Sequence, residues 1–315
     1  MAPNRDETGD KLKGVKPQTI LRTFVVVSIA FTLVYLYRNG LFYIPGNISW
    51  GYYALGVCFA LVGHILDSAS WREALRAIRI TTPLSVCTVG TALAIFGKYI
   101  PGKVWMIAGR TIYLRNFTRT SVVEITNLVL LVQVIMLWTG MAIGVYFAPA
   151  QALPAPLLLA ARIGLTLGAM VFIFLPAVKR LMLSWFRLAE RIPLIPLDVF
   201  FRVTLLSVLT WLFWSLGYVI CLRSIYYNPL PFVALGAFPL AAVIGILALV
   251  VPGGIGVREG VIAAFFVGAG IPVEVAATFS VMSRLWFFTS EVLFAVLGAL
   301  MHISFVKRKY LAAAV

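Results

Sequence analysis

Charged side chains are few in this sequence, and several interrupt long apolar runs, where each costs about 2.5–3.5 kcal/mol on membrane-insertion scales. Lys98 and Lys103 flank the pair Pro101-Gly102, with Tyr99 between them. Arg258 and Glu259 follow Pro252-Gly253-Gly254-Ile255-Gly256. Arg284 and Glu291 are spaced seven residues apart, which places both on one face of a helix. Arg110 lies downstream of the first Pro-Gly pair, and Glu124 falls one turn into another apolar run. Two chemistries suit such groups. Arginine–glutamate pairs can neutralise each other and clamp helices together, which is the reading preferred for Glu291; Arg162, at the outer end of its run, is read as snorkelling. Cations at a chain break can instead bind an anion. A helix that restarts after Pro-Gly presents free N–H groups with partial positive charge, and these suit phosphate. With Lys98, Lys103 and Arg258 added, the two breaks would form a cationic pocket halfway across a bilayer.

The elements that must hold these residues are apolar helices. Of the 315 residues, 62% are hydrophobic and 12% charged, and the mean hydropathy is +0.99. A soluble domain has about 25% charged residues, so a water-soluble enzyme and a nucleic-acid reader are both excluded. Eight stretches approach the roughly 20 residues needed to span: Ile20–Tyr37, Ile48–Leu66, Thr81–Gly97, Ser121–Phe147, Pro156–Val178, Val203–Leu222, Phe232–Val251 and Val281–Val306. Residues 1–19 form a polar tail, too long and too acidic for a signal-peptide leader. No small-residue cleavage site follows Tyr37, so the first stretch is expected to remain as an anchor.

The net charge of +15 decides the topology. If all eight stretches cross fully, Lys and Arg divide evenly between the two sides, and cytoplasmic loops normally hold the excess. If the third and seventh stretches enter, break and return, the outer side keeps Arg38, Arg162 and Arg223. Lys98, Lys103, Arg258 and Arg284 then lie at membrane depth, and the remaining cations, Arg110 included, are cytoplasmic. The expectation is therefore an all-α polytopic membrane protein. It has six full spans plus two oppositely oriented re-entrant helical hairpins, with cytoplasmic N- and C-termini. A single transmembrane domain covers 20–306, and a basic tail covers 307–315.

The breaks support this arrangement. Proline removes a donor and glycine tolerates left-handed dihedrals, so each Pro-Gly cluster can end one helix and start another. The runs that follow are 12 and 13 residues long, about 18–20 Å at 1.5 Å per residue. That is too short to cross a hydrocarbon core about 30 Å thick. The two Pro-Gly pairs lie 151 residues apart and share the pattern Pro-Gly-x-(Val/Ile). Paired broken segments in corresponding halves point to a transport site.

Other features are local. Ser70-Trp71-Arg72-Glu73 reads as a capping box opening a short basic helix through Arg79. Lys179–Arg191 reads as a helix lying in the membrane interface. Gly140/Gly144 and Gly164/Gly168 are pairs that permit close packing. Asp67, Glu73, Glu190 and Asp198 are scattered and read as caps or solvated charges. Cys58, Cys87 and Cys221 read as small core residues, and with His64 and His302 the only histidines, no metal or other cofactor is expected.

A phosphate-bearing lipid fits a midplane pocket because its tails stay in hydrocarbon while the head group moves. Trp71, Tyr99 and Trp105 could line its path. For an anionic head group moving outward, an inside-negative potential helps by about 2.3 kcal/mol per charge per 100 mV. No nucleotide motor is needed, and Gly97-Lys98 lacks the spacing of a phosphate loop.

The run Pro252-Gly253-Gly254-Ile255-Gly256-Val257-Arg258-Glu259, with Arg284 downstream, resembles the second signature of the flippase-like family. That family comprises the transmembrane region of lysylphosphatidylglycerol synthases and their stand-alone relatives. The first signature is matched in part by Pro101-Gly102-Lys103-Val104-Trp105, Arg110 and Glu124. Trp105 stands near a position where many relatives carry a carboxylate, and Ile125 follows Glu124 where arginine is usual. The resemblance covers about residues 20–306 and implies lipid translocation, with the lipid an aminoacylated phosphatidylglycerol or a polyprenyl-linked sugar. The soluble aminoacyl-transfer domain is not expected here, so the synthase activity is not carried over. The substrate site expected from pocket and resemblance together comprises Lys98, Tyr99, Pro101, Gly102, Lys103, Arg110, Glu124, Pro252, Gly253, Gly254, Gly256, Arg258, Glu259 and Arg284.

The leading expectation is a non-enzymatic lipid flippase or scramblase of the cytoplasmic (inner) membrane. Its partner would be an anionic or polyprenyl-phosphate-linked lipid, with no nucleic acid. A second is a partner subunit of a lipid- or glycan-modifying complex, which would give the chain an enzyme partner or a homo-oligomeric state. A third is a transferase acting on a lipid carrier, but the outer loops 38–47, 148–155 and 223–231 contain no Asp or Glu to serve one.

Overall fold

The computed structural model describes residues 47–99, 104–115, 120–151, 154–173, 196–248, 254 and 256–313. The first apolar stretch, the polar tail and the interfacial helix expected at Lys179–Arg191 lie outside them. The described residues are helical: α1 Trp50–Leu75, α2 Leu84–Ala94, α3 Val104–Arg115, α4 Val122–Tyr146, α5 Ala155–Ile173, α6 Leu197–Leu222, α7 Ala237–Leu247, α8 Val257–Gly268 and α9 Val273–Ala313. Among the described residues four segments are long and apolar enough to cross a membrane: Trp50–Ile78, Val122–Tyr146, Leu197–Leu222 and Val273–Ser304. The tail expected from 307 is, to Ala313, a continuation of α9.

Lone α1 corrects a local reading. Ser70 sits inside this helix rather than at its start, and its side chain is fully buried. The Ser-x-x-Glu spacing can occur within a helix as well as at its beginning. Glu73 turns instead to arginines, and the helix ends only where Arg79 adopts φ 60° after a 3-10 turn.

α1 and α6 form the spine. Their backbones meet where a Cβ on Gly56 would stand 2.6 Å from the Gly217 carbonyl oxygen. The core they share with α7 and α9 is aromatic: Trp211, Tyr218, Phe238, Phe279 and Trp286 are all within 2% of full burial. Buried aromatic rings with polar tips need hydrogen-bond partners, and the backbone supplies several. Trp211 Nε1 donates to the Met136 carbonyl (2.8 Å), Trp214 Nε1 to Ala60 (3.2 Å) and Tyr218 Oη to Phe279 (2.8 Å).

Two helix pairs are broken. α2 runs into a 3-10 turn, Ile95–Tyr99, and α3 packs back against it. α7, preceded by the 3-10 turn Phe232–Gly236, packs against α8 in the same way. The α-helical halves have 11 or 12 residues, about 17–18 Å each. Glycine makes both contacts possible. A Cβ on Gly97 would stand 2.5 Å from the Met106 backbone nitrogen, and one on Gly254 would stand 2.7 Å from Gly245, at a φ of 64°. α9 packs against α2 of the first pair and α8 of the second.

The small-residue pairs divide. Gly140 receives the Trp211 ring and Gly144 receives Leu240 of α7, whereas a Cβ on Gly164 would meet open space. The close approach read at Gly140/Gly144 is present, and at Gly164 it is not. Gly140→Ala should therefore destabilise by about 1–3 kcal/mol, the range for overpacking a filled site. Gly164→Ala should be neutral or stabilise by up to about 1 kcal/mol through helix propensity. Thermal unfolding of the purified variants in one detergent checks both.

Candidate anion-binding cavity

The two broken pairs and α9, together with α1, α4 and α6, line a partly open cavity of about 120 Å³. A void of this size has room for ordered water or a phosphate group. Lys98 reaches it from the turn after α2, Arg110 from α3, Arg258 from α8 and Arg284 from α9. Cations separated by up to 186 positions in sequence thus share one chamber. The wall between them is apolar, formed by Trp211, Trp214, Phe238 and Phe287 among others, with Gln133, Thr91 and His64 as polar insertions.

Each cation is held by a partner on another element. Lys98 forms an ion pair with Glu291 of α9, whose side chain is fully buried, and lies 4.8 Å from the centre of the Phe287 ring. Arg284 pairs with Glu259 of α8. Glu259 also accepts the Gly256 backbone N–H at 2.7 Å. The chain's own carboxylate therefore fills one of the donors expected to stand open at the start of α8. Arg110 donates to Asp67 of α1 at 2.8 Å, and its guanidinium stacks over Trp71 at 4.8 Å. Its Nε is buried without a hydrogen-bond partner among the described residues. Arg258 is 8% exposed, lies over Phe238 at 4.7 Å and Phe287 at 5.4 Å, and donates to the Ser283 carbonyl at 3.4 Å.

α9 consequently latches both broken pairs with opposite polarity. It gives a carboxylate, Glu291, to the first pair and a guanidinium, Arg284, to the second. Glu291 thus clamps two elements together, with Lys98 rather than an arginine as its partner.

Of the residues expected at the site, Lys98, Arg110, Arg258 and Arg284 line the cavity, and Glu259 holds one of them. Gly254 and Gly256 shape the second break with φ of 64° and 82°. Tyr99 ends the first 3-10 turn. Pro101, Gly102, Lys103, Pro252 and Gly253 lie outside the described residues. Glu124 is not brought to the others: it is exposed in the first turn of α4, where its N–H is capped by Ser121 Oγ at 3.2 Å. Trp105 is 55% exposed and does not line the cavity. Arg110, assigned to the cytoplasmic count, is 6% exposed and belongs to the chamber.

Asp67 and His64 were missed. The apolar stretch read from the sequence stopped at Leu66, so Asp67 looked like the start of a loop. It is instead 7% exposed inside α1. Its spacing of three from His64 was the available signal, since both fall on one helix face. His64 packs on Phe294 with ring centres 4.9 Å apart, and its Nε2 lies 3.2 Å from Ser290 Oγ. That hydroxyl donates to the Phe287 carbonyl, so its oxygen accepts from the histidine. Among the described residues no group of three or more His, Cys, Asp or Glu is placed to hold a metal ion.

Long apolar helices, broken half-helices and a charged chamber between them define a polytopic membrane protein. The chain belongs to the family described as Lysylphosphatidylglycerol synthase TM region, whose pattern it matches over residues 20–298. No curated protein and no solved structure matches it.

Proposed function

We propose that this protein moves a phosphate-bearing lipid head group across the cytoplasmic membrane, with the cavity as the polar stage of the path. The two broken pairs act as re-entrant hairpins from opposite faces, six other segments cross fully, and both termini are cytoplasmic. The observation that carries this reading is the convergence of Lys98, Arg110, Arg258 and Arg284 on one small chamber bounded by both pairs.

Charge arithmetic narrows the cargo. Those four cations face three carboxylates, Asp67, Glu259 and Glu291, which leaves a formal excess of one positive charge among the described residues. A singly charged phosphodiester neutralises it, whereas a pyrophosphate brings excess negative charge into a low-dielectric site. The lipid enters with its tails in hydrocarbon and its phosphate displaces a carboxylate from a cation, so charge is exchanged rather than stranded. The protein shifts the lipid's position and leaves its covalent structure unchanged.

Reconstitution tests this. Vesicles holding the protein and a fluorescent phosphatidylglycerol should expose the inner-leaflet probe to an external quencher at least tenfold faster than protein-free vesicles. Mass spectra of the lipid should be unchanged. Equal quenching rates would contradict the proposal, and chemical conversion of a lipid-linked substrate would replace it with the transferase reading.

A further inference from the structure

A second cluster of cations, separate from the cavity, lies where the C-terminal end of α1 meets the N-terminal end of α6. Glu73 is 6% exposed, and three arginines reach it: Arg76 at 2.8 Å, Arg72 at 3.0 Å and Arg202 at 3.8 Å. Asp198 takes one further contact, from Arg202 at 2.7 Å. Reading Glu73 as a solvated charge is thereby corrected. It is a buried pivot holding guanidiniums from two helices in a fixed array.

The array has spare capacity. Three positive charges meet two negative ones, and the Arg76 and Arg202 side chains remain 44% and 51% exposed. Arg72 Nε is buried without a hydrogen-bond partner among the described residues. Guanidiniums present planar, paired donors that match phosphate oxygens.

The surroundings indicate an acceptor with an apolar body. Arg202 lies on the outward face of α6, and that face continues as Leu197 (47% exposed), Phe201 (55%) and Leu205 (59%). Leu205 is one turn further from the helix start than Arg202 and Phe201. A phosphate seated on Arg76 and Arg202 can therefore run its acyl chain along Phe201 and Leu205.

We infer that the Arg72–Arg76–Arg202 array is a seat for the phosphate of an acidic phospholipid, standing at the bundle surface and distinct from the central cavity. Its chemistry is that of a phosphate ester, and the apolar strip favours the lipid-borne form over free phosphate. The seat depends on none of the cavity residues, so it stands or falls independently of translocation.

The test uses the intact chain in phosphatidylcholine nanodiscs containing a trace of phosphatidylglycerol with a photoactivatable diazirine on its acyl chain. Crosslinks mapped by mass spectrometry should fall on the 201–205 segment. Unlabelled phosphatidylglycerol should suppress them, and neither phosphatidylcholine nor millimolar inorganic phosphate should. In Arg76→Gln/Arg202→Gln the yield at this segment should fall at least fivefold, and Arg76→Lys/Arg202→Lys should retain part of it. Both side chains are about half exposed, so folding should tolerate the changes, and the lysine variant shows whether charge is what matters. An unchanged yield in the glutamine variant overturns the seat. So does equal labelling by a photoactivatable phosphatidylcholine. Full competition by inorganic phosphate overturns the lipid assignment in favour of a free-anion site.

Discussion

Arg258→Ala should slow head-group translocation at least tenfold in reconstituted vesicles, a barrier increase of about 1.4 kcal/mol. The side chain is 8% exposed and spans the Phe238 and Phe287 rings at the mouth of the second broken pair. Among the described residues its removal leaves three cations against three carboxylates. An anion would then have to enter a site with no net attraction while still shedding its hydration. The loss should appear in the translocation rate at equal amounts of folded protein in the vesicles. Arg258→Lys restores the charge but not the planar donor fork, so its rate should fall between the two. Wild-type translocation by a well-folded Arg258→Ala would remove this residue from the path.

Glu291→Ala should have the largest effect on stability, about 3 kcal/mol or more. The carboxylate is fully buried, and its partner Lys98 sits in the same chamber at 25% side-chain exposure. Deleting one member of a buried pair strands the other charge, which costs about 3–5 kcal/mol in buried ion pairs generally. Glu291→Gln keeps the shape and a polar oxygen, so its cost should be smaller. Exchanging the charges, Lys98→Glu with Glu291→Lys, should recover part of the loss. Unfolding of the two single variants and the double variant gives the coupling energy. Additive effects would show that the α9 latch contributes nothing as a pair.

These two expectations share a physical origin. α9 spans both halves of the bundle and fastens each broken pair by one ion pair. A phosphate that takes Lys98 from Glu291 loosens the first latch, and one that takes Arg284 from Glu259 loosens the second. An anion can thus weaken one side of the bundle while the other stays fastened, as the proposed translocation would need.

Most of the helical scaffold was legible in the sequence because hydropathy and length are local properties. The long runs ending near Phe147 and Leu222 coincide with α4 and α6, and the Pro-Gly clusters coincide with the breaks between α2 and α3 and between α7 and α8. Gly254 shows why the second cluster needs glycine: it combines φ of 64° with a backbone contact that leaves no room for a Cβ. The cations at the breaks were also legible, since a charge in an apolar run demands a reason wherever the chain later goes.

What remained hidden was pairing. Lys98 and Glu291 are 193 residues apart, and no local pattern chooses Glu291 for Lys98 over Arg284, its neighbour on the same face. Asp67 and Glu73 were misjudged because a carboxylate near the end of an apolar run looks solvated until the helix is seen to continue past it. Glu124 shows the same limit of a local pattern: it begins α4 exposed and apart from the cavity cations.

The opposite orientation of the two broken pairs is tested most directly by sided labelling of single cysteines in a background lacking Cys58, Cys87 and Cys221. Thr81→Cys and Arg115→Cys bracket the first pair, while Asn228→Cys and Glu274→Cys bracket the second; all but the glutamate precede or end the helices concerned, and all four positions are exposed. In intact cells an impermeant maleimide should label 228 and 274 at once, and 81 and 115 only after the membrane is opened. Labelling of 81 and 115 from different sides, or of 228 and 274 from different sides, would mean that the corresponding pair crosses the membrane, and a cavity reached from both faces would no longer follow.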